Sequence, residues 1–518
     1  MANLKSPSCQ LPPSVVRHIQ SLLTQVPSND TGQVTQQIFQ VFQQHKIRHS
    51  NQIKSFIRDS SCSQNVKDLL LAFTKFCSGD RAQALQALPN HLAWNNNWFF
   101  QYFNARCHID LRRFSDAKPA IDRGLTINPE QEDLWHLLGV YYIESNAPEQ
   151  ARDAYQKSLS LNPNRDITWN NLGVALEQAG DLEGALRASQ KASELSPNKP
   201  ELKHNFAYML SNCGETLKAN AIYEDLVKNS TFRAESLSCY FYNQLFNDDS
   251  LSQATKEQNL AFARDFSERY TGLDIKCKAL DGRPLRVGYL SGDFYRHSCA
   301  FFIAPLLKNH TDNVYSICFS DGAITDKFTK HLSSLPNEWI ETNQINNEEL
   351  VKLVRSKNVD VLIDLAGHTS NSRLPALCQR LAPIQVNYLG FAGSTWLPSM
   401  DYRLVDWHSD PKGADENASE SLVRLPETFL AYEPLLGAPP IEAPPFQANK
   451  YITFGSFNNP VKTSDRTLQT WSRILQKVPN SRICFKAILF RHEQIKNAFR
   501  ARLASHGIAP SNHVYVVI

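Results

Sequence analysis

The chain has 518 residues, of which 42% are hydrophobic and 20% charged, so each of the three or four domains expected at about 150 residues apiece can bury a core. The net charge of +3 is too balanced to favour a nucleic-acid or membrane partner. No run of about 18 apolar residues occurs, so we expect no membrane-spanning helix. The 20 glycines are about half the usual share of ~7%, which favours a mostly helical chain.

The N-terminal sequence and the cysteines bear on location and on metals. Residues 1–7 contain no apolar stretch, from which we expect no secretory signal and a cytoplasmic location. The 11 cysteines are scattered and form no CxxC pair. In a large chain this pattern predicts free thiols in a reducing compartment, and we expect neither a disulfide framework nor a zinc site.

A 34-residue period runs through the first half of the chain. It relates two tryptophans, two glycines, three prolines and four alanines: Trp135 and Trp169; Gly139 and Gly173; Pro129, Pro163 and Pro197; Ala117, Ala151, Ala185 and Ala219. The small residues would let paired helices approach closely, and proline would end each pair. The pattern resembles the tetratricopeptide repeat. We predict four units from about residue 96 to 230 and a weaker one at 68–94.

Such an array predicts a protein-binding surface, because stacked repeats form a superhelix with a concave face. Asn171 and Asn205 share one phase of the first helix and are candidates for binding a peptide backbone. Leu137 occupies the same phase and interrupts an asparagine ladder. The alternative is that both asparagines are solvated polar positions.

From about residue 285 short apolar strands alternate with helical stretches, which predicts a parallel sheet covered on both faces. The predicted strands are Leu285–Leu290, Val314–Phe319, Val359–Leu365, Ile384–Leu389, Tyr451–Phe454, Arg482–Phe485 and His513–Ile518. The predicted domains are an N-terminal helical segment (1–67), a repeat array (68–230), a helical connector (231–284), a first α/β lobe (285–432), a Pro-rich linker (433–450) and part of a second lobe (451–518). The fold class is therefore an all-α superhelix followed by an α/β region.

Three polar segments follow predicted strands, where a ligand cleft would lie. In the first, His297 precedes a predicted helix, a position that favours a neutral imidazole able to act as a base. In the second, Asp364 ends a strand and His368 follows a glycine. The third is 389–395, whose paired glycines would let backbone N–H groups approach a sugar or phosphate. The alternatives are that His297 is a structural histidine and that the other two segments are ordinary turns. The sequence contains no GxGxxG, GxxxxGK[ST], HExxH or GxSxG motif.

Four ordered strings carry a resemblance to a known family. They are RVGYLSGDFYRH, DVLIDLAGHTSNSRL, APIQVNYLGFAGST and TFGSFNNPVKTSDRTLQTWSRIL. Together they resemble the O-linked N-acetylglucosamine transferase/SPINDLY family in its bacterial form, from about residue 285 to 518. The resemblance implies an inverting, GT-B-type glycosyltransferase that binds a nucleotide sugar between two Rossmann-like lobes, without a metal or another cofactor.

The resemblance also implies roles for particular residues. The implied catalytic residues are His297 and His368, the second of which is Tyr in many relatives. The implied donor-sugar residues are Asp364, Thr369, Gly390, Gly393 and Ser394. The implied nucleotide and diphosphate residues are Asn459 and Lys462, of which the lysine offsets the charge of the leaving diphosphate, as metal-free chemistry requires.

The expected reaction transfers N-acetylglucosamine from UDP-N-acetylglucosamine to Ser or Thr of protein acceptors that the repeats bind. SPINDLY-type relatives transfer fucose from GDP-fucose, so that donor is the first alternative. The family's second lobe continues beyond the equivalent of residue 518, so we expect an incomplete nucleotide lobe. The second alternative is thus an inactive chain that acts as a protein-binding scaffold.

Overall fold

The computed structural model describes residues 13–23, 31–45, 51–60, 62–88, 92–229, 233–247, 251–270, 272, 275–433, 440–491, 493–508 and 514–517. The chain divides into two compact units, Met1–Ser196 and Pro197–Ile518. The division lies inside the predicted repeat array, and each unit is described by itself.

The described part of the first unit is helical. Its helices are α1 (Pro13–Leu23), α2 (Thr31–Gln44), α3 (Asn51–Asp59), α4 (Gln64–Cys77), α5 (Arg81–Gln86), α6 (Trp98–Asp110), α7 (Phe114–Ile127), α8 (Glu132–Glu144), α9 (Pro148–Leu161), α10 (Asp166–Ala179) and α11 (Leu182–Leu195). Helices α4, α6, α8 and α10 begin at residues 64, 98, 132 and 166, so the period found in the sequence sets the start of each first helix.

The repeated residues make the contacts that pair the helices. A Cβ on Gly139 of α8 would collide with the ring of Tyr155 on α9, so glycine is what lets the aromatic ring fill the space between them. Trp135 Nε1 donates to the Pro129 carbonyl at 2.7 Å, and the equivalent bond one repeat later measures 2.8 Å. The tryptophan of each first helix thus ties down the turn that precedes it.

A phenylalanine cluster packs α2 against the first repeat helices. The Phe39 ring centroid lies 4.9 Å from that of Phe73 on α4 and 5.2 Å from that of Phe103 on α6. Phe42 is also buried, and its ring lies 6.0 Å from Phe73. Aromatic pairs at these separations add to the burial of apolar area, so the N-terminal segment extends the core of the repeats.

The second unit begins with four helices and continues into a seven-stranded sheet. The helices are α12 (Pro200–Asn212), α13 (Thr216–Asn229), α14 (Arg233–Gln244) and α15 (Gln253–Ser267). The sheet region comprises β1 (Leu285–Ser291), α16 (Ser298–Lys308), β2 (Val314–Ser320), α17 (Lys327–Leu332), β3 (Glu338–Glu341), α18 (Asn347–Ser356), β4 (Val361–Asp364), α19 (Leu374–Leu377), β5 (Ile384–Asn387), β6 (Tyr402–Asp406) and β7 (Ser421–Leu425).

All neighbouring strands of this sheet are parallel, in the order β3-β2-β1-β4-β5-β6-β7. The apolar strands predicted at β1, β2, β4 and β5 are present, and the last two are shorter than predicted. Strands β3, β6 and β7 were not predicted, because each is short and contains polar residues that interrupt its apolar run. The helical region followed by a parallel α/β sheet confirms the predicted fold class.

A smaller parallel sheet follows the linker, of which residues 434–439 lie outside the described residues. Its elements are α20 (Pro445–Asn449), β8 (Thr453–Ser456), α21 (Asp465–Lys477), β9 (Arg482–Lys486), α22 (Glu493–Ser505) and β10 (Val514–Val517), with the strand order β10-β9-β8. Leu468, Phe485 and Leu503 form its core. Among the helices described, none combines the length and hydropathy needed to cross a bilayer.

Candidate active site

The three polar segments predicted from the sequence follow three adjacent strands. In the register of the sheet, Asp364 at the end of β4 lies opposite Leu290 on β1 and Asn387 on β5. The loops that follow these strands therefore leave the same carboxyl edge side by side. This edge is where parallel α/β sheets bind ligands.

Asp364 is buried at the base of this edge, with 1% of its surface exposed. One carboxylate oxygen accepts the Gly367 N–H at 2.8 Å and the other accepts the Ala366 N–H at 3.3 Å. Burial raises the pKa of Asp364 to about 6, although these two backbone hydrogen bonds lower it. Asp364 thus holds the turn after β4 in place.

His368 joins the loops after β4 and β5 to helix α14. Its Nε2 lies 2.8 Å from the Thr395 carbonyl and must carry the proton, because a carbonyl only accepts. Its Nδ1 lies 3.5 Å from Ser238 Oγ on α14. The ring packs between Phe241 and Phe391, with centroid distances of 4.7 and 5.1 Å. Burial lowers the pKa to about 4, so the ring is neutral at pH 7.

These contacts suit a residue that positions the loops, since only 2% of His368 is exposed. The catalytic role predicted for it stays a prediction. Thr369 is also engaged locally, because its hydroxyl donates to the Ala366 carbonyl at 2.8 Å.

The glycines after β5 pack against protein. A Cβ on Gly390 would collide with the Leu365 carbonyl, so this glycine allows the loops after β4 and β5 to touch. A Cβ on Gly393 would lie 2.8 Å from the Leu245 side chain, just after α14. Both glycines thus pack against protein, and their predicted contact with a donor sugar stays a prediction.

Ser394 and Thr395 are held by a carboxylate that the sequence reasoning missed. Ser394 Oγ and Thr395 N each donate to Glu420 at 2.6 Å, and the Thr395 hydroxyl donates to it as well. Glu420 has 4% of its surface exposed. It directly precedes β7, so recognising that strand would have been the signal for it.

His297 lies at the rim of the same edge, where it caps α16. Its Nδ1 accepts the Cys299 N–H at 3.4 Å and lies 3.7 Å from a carboxylate oxygen of Asp293. The imidazole is 37% exposed, so a ligand can reach it. Burial raises the pKa of Asp293, and the neighbouring His297 lowers it. The sequence reasoning did not single out Asp293.

An ion pair between Arg373 and Asp321, neither of them a predicted site residue, fixes the end of the loop after β4. Arg373 makes two 2.7 Å hydrogen bonds to the carboxylate of Asp321 and also donates to the Thr342 and Ile345 carbonyls. Both charged side chains are largely buried. Asp321 follows β2 at its carboxyl end, the position that directed attention to the other loops.

Asn459 and Lys462 lie after β8, on the smaller sheet, and both are exposed. Asn459 Oδ1 accepts the Val461 N–H at 3.1 Å and so caps the short turn Pro460–Lys462. Within the described part of the chain, no hydrogen bond or ion pair connects either residue with the seven-stranded sheet. Their binding of nucleotide and diphosphate stays a prediction.

The two asparagines predicted to bind peptide are half-buried and already have partners. Asn171 accepts from Asn170 Nδ2 at 3.3 Å and bonds the hydroxyl of Tyr155. Asn205 also interacts within the protein. Peptide binding by either residue stays a prediction.

Two parts of the chain match models of known protein families. Residues 268–433 match the model of glycosyl transferase family 41, and residues 104–166 and 137–200 match a tetratricopeptide repeat model. Two similar curated proteins are named probable UDP-N-acetylglucosamine–peptide N-acetylglucosaminyltransferase SPINDLY. The rice protein is 38% identical over 51% of this chain and 29% of its own length. The Arabidopsis thaliana protein is 34% identical over 51% and 30%.

A solved structure has a similar fold. A mutant of the Thermobaculum terrenum O-GlcNAc transferase superposes with a TM-score of 0.56 at 24% identity, over 83% of this chain and 76% of that one. The chain spans about three tenths of the length of these two curated relatives. Residues 268–433 are thus similar to glycosyl transferase family 41, and tetratricopeptide repeats lie ahead of them.

Proposed function

We propose that the protein transfers N-acetylglucosamine from UDP-N-acetylglucosamine to a Ser or Thr hydroxyl of a protein acceptor, with inversion at the anomeric carbon. The observation that carries the proposal is the family match over 268–433, which includes all three loops of the candidate site. The printed names of the relatives support this donor and a peptide acceptor. The repeats supply a surface of the kind that binds proteins.

In the proposed reaction His297 receives the proton of the acceptor hydroxyl. Its Nδ1 accepts a hydrogen bond in the structure and therefore has the lone pair that a base needs. The acceptor oxygen bonds to the anomeric carbon as the bond between that carbon and the diphosphate breaks. The nearby carboxylate of Asp293 stabilises the imidazolium that forms.

The charge of the departing UDP requires a cation. We assign this role to Lys462, which is exposed on the smaller sheet, with Asn459 beside the nucleotide. Positive side chains stabilise a leaving diphosphate directly, so the proposed reaction uses no metal cofactor. Asp364, Thr369, Gly390, Gly393 and Ser394 shape the donor pocket in this proposal, with His368 holding the loops.

Nucleotide binding tests the proposal. Calorimetric titration of the full chain with UDP should show binding, and Lys462→Ala should weaken it about tenfold through loss of a charge-assisted contact. Lys477→Ala, at an exposed lysine that ends the neighbouring helix α21, is the matched control and should bind like wild type. If neither UDP nor GDP binds, the enzyme proposal fails and the protein-binding scaffold takes its place.

The same titration decides the donor. The relatives' names include SPINDLY, and the resemblance to proteins of that type makes GDP-fucose the alternative donor. We expect UDP-N-acetylglucosamine to bind more tightly than GDP-fucose. The reverse order would replace the proposed donor and leave the transferase proposal standing.

A further inference from the structure

Three side chains of metal-ligating types meet where the loop after β1 enters helix α16. Asp293, His297 and Cys299 each offer one ligand atom, and these atoms lie within 4.8 Å of one another. The set combines a carboxylate oxygen, an imidazole nitrogen and a thiol sulfur. Its spacing of four and two residues contains no CxxC pair, which explains why the cysteine pattern did not predict it.

The carboxylate of Asp293 is the second observation that points to a ligand. The residue is 8% exposed. Among the described residues no N–H or O–H group donates to its carboxylate, and its one ion pair is the 3.7 Å contact with His297. The side chain keeps 11% exposure, and a cation beside a largely buried carboxylate without hydrogen-bond donors stabilises its charge. The group is therefore poised to accept a positive charge at this position.

We propose that Asp293, His297 and Cys299 bind one Zn²⁺ ion, and that this zinc inhibits the transferase. The inhibitory half rests on the proposed function. Oxygen, nitrogen and sulfur donors together suit zinc, which binds three protein ligands and one water in open tetrahedral sites. Zinc bound here is a regulator of the site and not a cofactor of the reaction.

The observed distances are close to those of a zinc site. Ligand atoms around a tetrahedral zinc lie about 3.6 Å apart, given bond lengths of about 2.0–2.3 Å. The separation of His297 from Asp293 is 3.7 Å, so this pair needs little movement. The 4.8 Å limit on the whole set leaves about 1 Å to close, which side-chain rotation of the half-exposed imidazole and the half-buried thiol can supply.

The charge balance also favours a cation. The start of α16 contributes a partial positive charge of about +0.5, which opposes zinc. The Asp293 carboxylate and the Cys299 thiolate contribute two full negative charges, which outweigh it. The thiol releases its proton to solvent when the metal binds.

Zinc bound at this position would occupy the imidazole of His297, which is the base of the proposed reaction. The Nδ1 lone pair of His297 that accepts a proton would instead bind the metal, so transfer would stop while the nucleotide site on the smaller sheet stays open. Removing zinc with a chelator would restore transfer.

Metal titration of the full chain tests the site without using activity. Co²⁺ should produce a thiolate-to-cobalt charge-transfer absorption, and Zn²⁺ should displace it with a stoichiometry of about one ion per chain. Cys299→Ser should remove this absorption and weaken zinc binding at least tenfold, because the thiolate ligand is gone. Cys277→Ser removes an exposed cysteine elsewhere and should leave both unchanged.

Two results would overturn the proposed zinc site. One is the absence of a thiolate-to-cobalt absorption in the wild type, and the other is equal zinc affinity in wild type and Cys299→Ser. Circular dichroism of Cys299→Ser and Cys299→Ala ensures that folded proteins are compared.

Activity then tests the regulation. Zinc should inhibit transfer by the wild type and not by Cys299→Ser, whose transfer without zinc should be normal. Transfer that persists with zinc bound overturns the inhibition. If no transfer occurs even without zinc, the proposed function fails, while the metal titration still decides the site.

Discussion

The two histidines of the candidate site differ in their surroundings. His297 is partly exposed and faces the Asp293 carboxylate, whereas His368 is enclosed by Phe241 and Phe391 and donates to a carbonyl. A general base must come within hydrogen-bond reach of the proton that it removes. His297 satisfies this requirement more directly, and His368 is better placed to hold the loops.

We therefore expect His297→Ala to lower the rate of transfer by about 10²–10⁴-fold, the usual contribution of a general base. UDP affinity should not change, because the residue does not contact the nucleotide in the proposed mechanism. Steady-state rates and calorimetric titration on the same samples measure both. His408→Ala, at an exposed histidine after β6, should behave like wild type; normal turnover in His297→Ala would contradict the assignment.

Glu420 is the acceptor on which the loop after β5 depends. Removing its carboxylate in Glu420→Ala leaves the buried donors of Ser394 and Thr395 without a partner. Each unsatisfied donor costs about 1–3 kcal/mol, so we expect the free energy of unfolding to fall by about 3 kcal/mol in denaturant titration. Glu416→Ala changes an exposed glutamate on the same segment and should have no measurable effect. Equal stability of the two variants would show that the loop does not need this carboxylate.

Helix α14 supports the candidate site from outside the sheet. Ser238 and Phe241 contact His368, and Leu245, just after the helix, lies over Gly393. The helix therefore touches the loops after both β4 and β5. Because it follows the repeat helices α12 and α13 directly, it is a physical connection between the end of the repeats and the candidate site.

Shortening the side chain of Phe241 should loosen the candidate site. We expect Phe241→Ala to weaken binding of UDP-N-acetylglucosamine about tenfold, because small displacements of positioning residues are costly, and also to lower stability by about 3–5 kcal/mol through the cavity. Phe241→Leu should keep the fold and show a smaller loss of affinity. Tyr242→Ala, on the exposed side of the same helix, should bind normally in the same calorimetric measurement. Unchanged affinity in folded Phe241→Ala would rule out this support.

The sequence predicted elements with strong periodicity and missed those without it. Strands β1 and β2 are apolar segments and lie within one residue of their predicted bounds. The missed strands β6 and β7 read YRLVD and SLVRL, short segments in which polar residues interrupt the apolar run. Missing β7 also concealed Glu420.

The sequence also indicated some residues of the candidate site and not their partners. Position after a strand pointed to Asp364, His368 and His297, and the family resemblance agreed. Their partners come from distant segments: Ser238 is 130 residues from His368. Such a contact depends on how α14 packs on the sheet, which no local pattern specifies.

Buried neutral histidines occur in both units. Burial lowers the pKa of His136 to about 3 and that of His204 to about 4. Each Nδ1 has a hydroxyl partner, Thr168 at 2.9 Å and Ser236 at 3.2 Å. His368, whose pKa is also lowered to about 4, adds a third such group.

These groups predict loss of stability in mild acid. Each binds a proton in the unfolded chain near pH 6.5 but not in the fold, so its contribution is complete above pH 6.5 and falls as the pH drops toward 4. Asp364, with a pKa raised to about 6, acts in the opposite direction over part of this range and offsets one of the three. The net effect is about one proton in each unit, or about 1.4 kcal/mol per pH unit for each where its groups titrate.

Thermal unfolding at pH 7.5 and pH 5.0 measures this effect, and we expect the midpoint to be several degrees lower at pH 5.0, at about 2–4 °C per kcal/mol. His136→Gln removes one of the groups and should reduce the difference for the transition of the first unit. His18→Gln changes an exposed histidine in α1 of the same unit and should leave the difference unchanged. Protonation changes stability only through a group whose pKa differs between the folded and the unfolded chain. A midpoint independent of pH would therefore show that these histidines bind protons in the folded protein as readily as in the unfolded chain.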